Sequence, residues 1–424
     1  MGKYLNFAIL ALLVTICGFV AQSYPQLSSQ IDTGDTAWML VASAFVLLMT
    51  PGLSFFYGGM VNKKNIISTM LQSFIALGVV SVLWVVVGFS LAFGDSLGGI
   101  IGNPLTYFAF HGVGSEPNPD FAGTIPFLVF ALFQLKFAII TPALITGSMA
   151  GRIRFRSYIL YMVLFSILIY SPLAHMTWHP DGLFRNWGVL DFAGGTVVHM
   201  SAGFAALAGA VFLGKRKVQI SEPANVPFVI LGTGLLWFGW FGFNAGSALG
   251  ANSDAVIAFA NTNIASATAM ITWVFYERML GRKMSAVGAC IGAVVGLVAI
   301  TPAAGFVNIG QAMVIGFVAA LISNRAIHIK EKSDIDDTLD VFPSHGIGGI
   351  VGMVLTGVFA ADVGLAYGET TTFTWHMIAL VITSVFTFGG SYLLYIIVDK
   401  LIPMRVRADQ EERGLDLSQH GEEL

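Results

Sequence analysis

The sequence predicts an all-α polytopic membrane protein of eleven transmembrane helices, built as two inverted five-helix repeats plus one C-terminal helix. Three observations carry this. The 424 residues are 56% hydrophobic and only 11% charged, where an ordinary soluble domain is about 25% charged. Mean hydropathy is +0.78. Apolar stretches of the roughly 20 residues needed to cross a bilayer recur along the chain, and basic clusters fall between alternate stretches. Beside that placement, the formal net charge of −3 carries little information.

The elements follow in order. Residues 1–23 read as a signal peptide: a basic start at Met1–Lys3, an apolar stretch Leu5–Val20, and a small-x-small site at Ala21-Gln22-Ser23. An uncleaved first helix is the alternative. Tyr24–Asp35 then forms an external N-terminal stretch. Residues 24–400 form the membrane domain, with spans near 36–58, 66–93, 121–150, 157–176, 191–213, 226–250, 255–280, 285–303, 309–328, 340–361 and 373–400. Residues 401–424 form a cytoplasmic tail. Cys17 lies within the segment expected to be removed, which leaves Cys290 without an internal disulfide partner.

The basic residues set the orientation. They follow span one (Lys63, Lys64), span three (Arg152, Arg154, Arg156) and span five (Lys215, Arg216, Lys217). They recur at the end of span seven (Arg278, Arg282, Lys283), after span nine (Arg325, Lys330, Lys332) and in the tail (Lys400, Arg405, Arg407, Arg413). In an eleven-span chain these 18 of the 21 Lys and Arg residues share one side. The exceptions are Lys3, Lys136 and Arg185. One span more or fewer would scramble the alternation. The N-terminus is therefore expected outside and the C-terminus in the cytoplasm.

An odd count suits two five-helix halves of opposite topology, which place a substrate path at their interface. Spans five and ten are loosely alike: Asp191 precedes His199, and Asp340 precedes His345. Four-residue glycine spacings (Gly242/Gly246, Gly288/Gly292/Gly296, Gly348/Gly352) suit close helix packing. Ionisable groups at membrane depth usually face an interior or a water cavity, and they are few: Lys136, His175, Asp191, His199 and His345. A histidine is tolerable there because it can be neutral. His199 and His345 either bond one another across the repeats or are satisfied separately. Asp191 stands where a carboxylate accepts the free N–H groups of a helix start, and its charge also favours a cation nearby. Phe133 and Phe137 share a helix face, as do Trp240, Phe243 and Ser247, while Trp178 lies just past span four on the outer side. Ring faces can hold a small cation for roughly 2 kcal/mol when desolvated.

These residues carry a resemblance. PGLSFFYGGMVNKKN (Pro51–Asn65), FQLKFAIITPALITG (Phe133–Gly147), SPLAHMTWHPDG (Ser171–Gly182), LDFAGGTVVH (Leu190–His199), WFGFNAGSA (Trp240–Ala248), DVFPSHGIGGIVG (Asp340–Gly352) and EERGLDLSQHGEE (Glu411–Glu423) are similar to the ammonium transporters of the Amt/MEP/Rh superfamily, bacterial and archaeal Amt type. The likeness runs over essentially the whole mature chain. It implies the Amt/Rh fold, and Trp178, Phe137 and Ser247 as an external ammonium-binding site. It implies Phe137 and Phe243 as a gate, His199 and His345 as twin pore histidines, Phe133 and Trp240 as further pore aromatics, and Asp191 as the acid near the recruitment site. It also implies a homotrimer in the cell membrane with one pore per subunit, methylammonium as a second substrate, and a PII-type regulatory protein on the cytoplasmic face. The sequence departs from the family pattern at Lys136, beside the gate, and at Gly151, where an acidic residue is usual. Lys136 is expected to snorkel beside the path, and Gly151 to alter only the cytoplasmic surface.

The function expected is ammonium uptake for nitrogen supply. NH4+ is recruited outside and deprotonated, and NH3 crosses with or without its proton. A non-conducting ammonium sensor and a neutral-solute channel are the alternatives. The sequence holds no nucleophile-and-base spacing, metal cluster or phosphate loop, so no enzyme activity, cofactor or metal is expected. Nor does it hold a nucleic-acid patch. The acidic run Asp334–Asp340 is expected as a solvated loop.

Overall fold

The computed structural model describes residues 2–20, 30–218 and 222–424. In lipid every backbone polar group must be satisfied internally, and the apolar stretches meet that demand as helices. Among the described residues, ten are long and apolar enough to cross a membrane: Thr33–Met60, Lys63–Phe93, Phe127–Met149, Phe155–Asn186, Gly195–Leu213, Val226–Gly246, Ser253–Met279, Ile309–Glu331, Phe342–Phe359 and Thr371–Leu401. The eleventh expected position, span eight, is a shorter apolar helix, Ala286–Ile300. It stops early because Pro302 has no N–H with which to continue the ladder. Leu5–Phe19 is a further short apolar helix. The expected cleavage site at Ala21-Gln22-Ser23 lies outside the described residues.

Two other boundaries differ from the sequence reading. Span three starts at Phe127, not 121, after Pro126. Span five starts at Gly195, not 191, because the Asp191 side chain caps its first turn. Both span five and span ten open with a π-turn, Gly195–Met200 and Phe342–Ile347. Such five-residue closures concentrate at functional sites, and each of these carries one of the histidines.

Equivalent helices of the two halves pack against each other at glycines. Between spans one and six, a Cβ on Gly232 would lie 2.3 Å from Phe56 N, and one on Gly242 would lie 2.6 Å from Ala42 O. Between spans five and ten, a Cβ on Gly203 would lie 2.2 Å from Gly346 N. Only glycine permits that approach, and it brings the turns bearing His199 and His345 together.

The basic clusters gather at one end of the bundle, with the tail folded across them. Asp416 caps the start of a helix by accepting Ser68 N–H at 2.7 Å, and Leu415 N–H donates to Asn65 Oδ1 at 2.8 Å. Gly151 adopts φ +79, a conformation that suits glycine, and is buried near Asn65. The stretch expected to alter only a surface therefore lies beneath other residues.

The acidic run is the clearest correction. Asp334 is exposed, but Asp336 is half-buried and Asp337 is buried. Asp336 takes a bidentate pair from Arg216, Nη2 at 2.8 Å and Nε at 2.9 Å. The buried Arg152 donates to Thr338 Oγ1 at 2.7 Å and to the Asp336 carbonyl. Asp340 pairs with Lys330 at 2.6 Å. Basic residues from neighbouring loops thus fold the run inward. Asp337 accepts Phe342 N–H at 2.7 Å at the start of span ten. It stands eight residues before His345, as Asp191 stands eight before His199. The acidic counterpart of Asp191 is therefore Asp337, where the sequence reading placed Asp340.

Burial and the neighbouring Asp340 charge push the Asp337 carboxyl up to about 6, against the smaller opposing pull of the Phe342 N–H and Lys330. A carboxyl raised on folding contributes stability below its unfolded value and loses it as pH rises through its folded value. Wild type should therefore lose thermal stability relative to Asp337→Asn, which keeps an acceptor for Phe342, as pH rises from about 4 to 6. Thermal unfolding of both proteins in detergent across that range measures it, and parallel curves would refute it.

Candidate functional site

A row of cavities and rings runs inward from the end of the bundle opposite the basic clusters. The outermost is a cavity of about 280 Å³ whose lining includes Asp120, Gln134, Phe137, Trp178, Arg185, Asp191 and Ser247. Trp178 meets the Phe137 ring edge-on, with centroids 5.8 Å apart. Its indole N–H donates to the Asp191 carbonyl at 3.0 Å, which fixes the ring. The Ser247 hydroxyl donates to the Phe243 carbonyl at 2.9 Å, so its lone pairs remain free to accept.

Phe137 lines this cavity and pairs with Phe243, which lines the next one inward. Phe137 and Phe243 lie 4.2 Å apart at 31°, both essentially buried. Phe133 packs edge-on against Phe137 at 5.0 Å and lines neither this cavity nor the one below it. Under the pair, His199 stacks beside Trp240 at 5.4 Å and Phe243 at 6.0 Å. The Nδ1 atoms of His199 and His345 are 3.3 Å apart. The sequence left two readings of these histidines open, and the geometry is that of the bonded pair. Beside them is a cavity of about 10 Å³, the room of about one water molecule. Its walls are Met49, Leu53, Phe56, Ile140, Leu144, Val198, Leu236, Trp240, Phe243, Val294 and the two imidazoles.

Asp191 is the anchor of this arrangement. Its Oδ1 accepts Gly194 N–H at 2.8 Å and Gly195 N–H at 2.6 Å, while Oδ2 accepts Thr196 N–H at 2.8 Å and the Thr196 hydroxyl at 2.5 Å. That satisfies the donors left free at a helix start, one turn or two before His199. Gly194 makes the entry possible with φ +115.

Three placements were not legible in the sequence. Thr301, at the end of span eight, touches both the Trp240 indole N–H (2.9 Å) and His199 Nε2 (3.3 Å). Gln134 lines the outer cavity. His376 takes Leu190 N–H on Nε2 at 2.9 Å and meets the Met353 carbonyl through Nδ1 at 2.9 Å, so it steadies the loop that carries Asp191. Threonine, glutamine and histidine in apolar helices often only satisfy neighbouring backbone, and spacing does not separate these from the rest.

The other two ionisable groups singled out lie off the row. His175 is a strut, with Nδ1 at 3.0 Å from the Ala92 carbonyl and Nε2 at 2.8 Å from Ser96 Oγ. Lys136 is half-buried on the stripe of Leu128 and Leu132 and lines neither cavity.

Removing the carboxylate while leaving its four donors buried is expensive. Asp191→Ala should destabilise the protein by about 2 kcal/mol or more, and Asp191→Asn by less. Thermal unfolding in detergent reads the order, and equal stability of Ala and wild type would show that the cap is dispensable.

Comparison with known proteins gives a consistent picture. The sequence model of the Ammonium Transporter Family matches residues 37–424. An ammonium transporter of Aquifex aeolicus is 47% identical over 401 residues, covering 93% of this chain and 94% of that protein. The crystal structure of Saccharomyces cerevisiae Mep2 superposes with a TM-score of 0.85 at 34% identity, covering 91% of this chain and 90% of that one. A structure described as a sensor Amt protein gives 0.84 at 29% identity, covering 91% and 98%.

Proposed function

The chain belongs to the ammonium transporter family, and we propose that it carries ammonium into the cell through the row of cavities between its two halves. The observation that carries this reading is the order of chemistry along the row. A roomy, partly charged cavity leads to a closed ring pair, and the ring pair to an apolar space whose polar groups are two imidazoles and an indole.

Moving a bare ion into a low-dielectric interior costs on the order of 20 kcal/mol. A few ring contacts of about 2 kcal/mol do not offset that. Capture and passage therefore need different chemistry. NH4+ is held in the outer cavity by the ring faces of Trp178 and Phe137, by the Ser247 lone pair, and by the field of Asp191. It loses a proton before the Phe137–Phe243 pair parts. NH3 then crosses the apolar space past the paired imidazoles of His199 and His345, with Trp240 as a wall. The proton either returns to the outer water or travels along the imidazole pair.

The alternation of basic residues supports an external N-terminus, a cytoplasmic tail and location in the cell membrane. A cleaved signal peptide over residues 1–23, a homotrimer, transport of methylammonium and a PII-type partner at the basic end belong to the same reading. The sensor alternative draws on the sensor-like neighbour. Ammonium flux through the purified protein in liposomes separates the two.

Two measurements test the roles. His199→Ala and His345→Ala should each abolish or greatly alter ammonium-dependent current on a solid-supported membrane. Unchanged current and selectivity in both would remove the histidines from the path. Trp178→Leu should weaken capture at low ammonium and leave saturating current nearly intact. A concentration dependence identical to wild type would dismiss the outer site.

A further inference from the structure

The hydrogen bonds that converge on Thr301 constrain where the protons of the histidine pair sit. A threonine hydroxyl has one hydrogen to give and two lone pairs to accept with. Thr301 Oγ1 has three neighbours: the Leu297 carbonyl at 2.8 Å, the Trp240 indole nitrogen at 2.9 Å and His199 Nε2 at 3.3 Å. The carbonyl only accepts, and the indole only donates. The Thr301 N–H, which a continuing helix would direct to Leu297, turns instead to the Val298 carbonyl at 3.3 Å, and Pro302 follows. The helix end thus leaves the Leu297 carbonyl to the hydroxyl, in the manner of unsatisfied helix termini generally. The single hydrogen of Thr301 is committed to Leu297, and one lone pair is taken by Trp240.

What remains for His199 is the second lone pair. His199 therefore donates through Nε2–H. A neutral imidazole carries one hydrogen, so its Nδ1 is bare. The 3.3 Å contact between the two Nδ1 atoms then requires His345 to donate through Nδ1–H, and this leaves His345 Nε2 bare. That atom has no hydrogen-bond partner among the described residues, and His345 lines the small cavity.

We propose that Thr301 fixes the tautomers of the pair, and through them the polarity of the passage. His345 Nε2 is the acceptor offered to a neutral N–H donor such as NH3. The pair is ordered as His345 donating to His199, and His199 donating to Thr301. A proton hopping from His199 toward His345 would need the reverse order. The Thr301 hydroxyl would first have to turn from Leu297 to His199 Nε2. The hydroxyl is thus a positioning group that favours neutral passage over proton transfer along the pair. This rests on the transport reading above, but the tautomers themselves do not.

Neutron diffraction from crystals of the full chain exchanged into D2O tests the tautomers without any activity. The expected result is deuterium on His199 Nε2 and His345 Nδ1, with the Thr301 deuteron directed at Leu297. Deuterium on His199 Nδ1, or a Thr301 deuteron directed at His199, would overturn the proposal. A flux series tests the consequence. Thr301→Ser should keep most of the ammonium current, and Thr301→Val should lower it about tenfold, the scale of one hydrogen bond. Because Thr301→Val also strands the Trp240 N–H, the comparison is repeated in Trp240→Phe. A Trp240→Phe/Thr301→Val double variant that conducts like Trp240→Phe alone would overturn the role in passage. Wild-type protein that shows the expected deuterons but no ammonium flux would refute the transport reading and leave the tautomer assignment standing.

Discussion

The carboxylate of Asp191 is the contact on which the rest of the row depends. A helix that begins inside a membrane protein leaves N–H groups with no water to bond, and each costs several kcal/mol unsatisfied. Asp191 takes three of them and a hydroxyl. In doing so it starts span five four residues later than the apolar pattern suggests. The loop ahead of it is then short and fixed, and the Asp191 carbonyl holds the Trp178 indole in place. One residue therefore sets the position of an outer aromatic and the first turn of the helix that carries His199.

The second half repeats the device at the other end. Asp337 caps span ten eight residues before His345, and the Gly203–Gly346 crossing brings the two capped turns into contact. The histidines meet near the middle because two inverted halves, each with the same cap-to-histidine spacing, cross at residues without side chains. The two caps differ in environment. Asp191 is fully engaged by donors, whereas Asp337 sits beside a second acid, and burial with that neighbour pushes its carboxyl up to about 6.

Much of this was legible in the sequence because membranes make sequence unusually explicit. Span number followed from hydropathy and from the alternation of Lys63, Arg152, Lys215 and their successors. The residues named for the site fall along one row, with Phe133 packed behind it, because quoted motifs, not spacing, identified them. What stayed hidden depends on contacts between distant segments. Asp334–Asp340 reads as a solvated loop until Arg152 and Arg216, over 100 residues away, fold against it. Thr301 reads as an ordinary helix-end threonine until Trp240 and His199 converge on it. Lys136, by contrast, is expected beside the path, and it shares a stripe with Leu128 and Leu132 and lines neither cavity.

The space beside the histidines has room for about one water-sized molecule. A chamber with one place imposes a queue. Two molecules there cannot pass one another, so an occupant must leave before the next enters. If the proposed path runs through it, throughput is governed by how quickly one guest departs, and tight holding would slow the traffic it selects. Water and any solute of similar size compete for the same seat in turn. A larger solute enters only as far as the surrounding side chains yield, which makes the stiffness of the walls a filter in its own right.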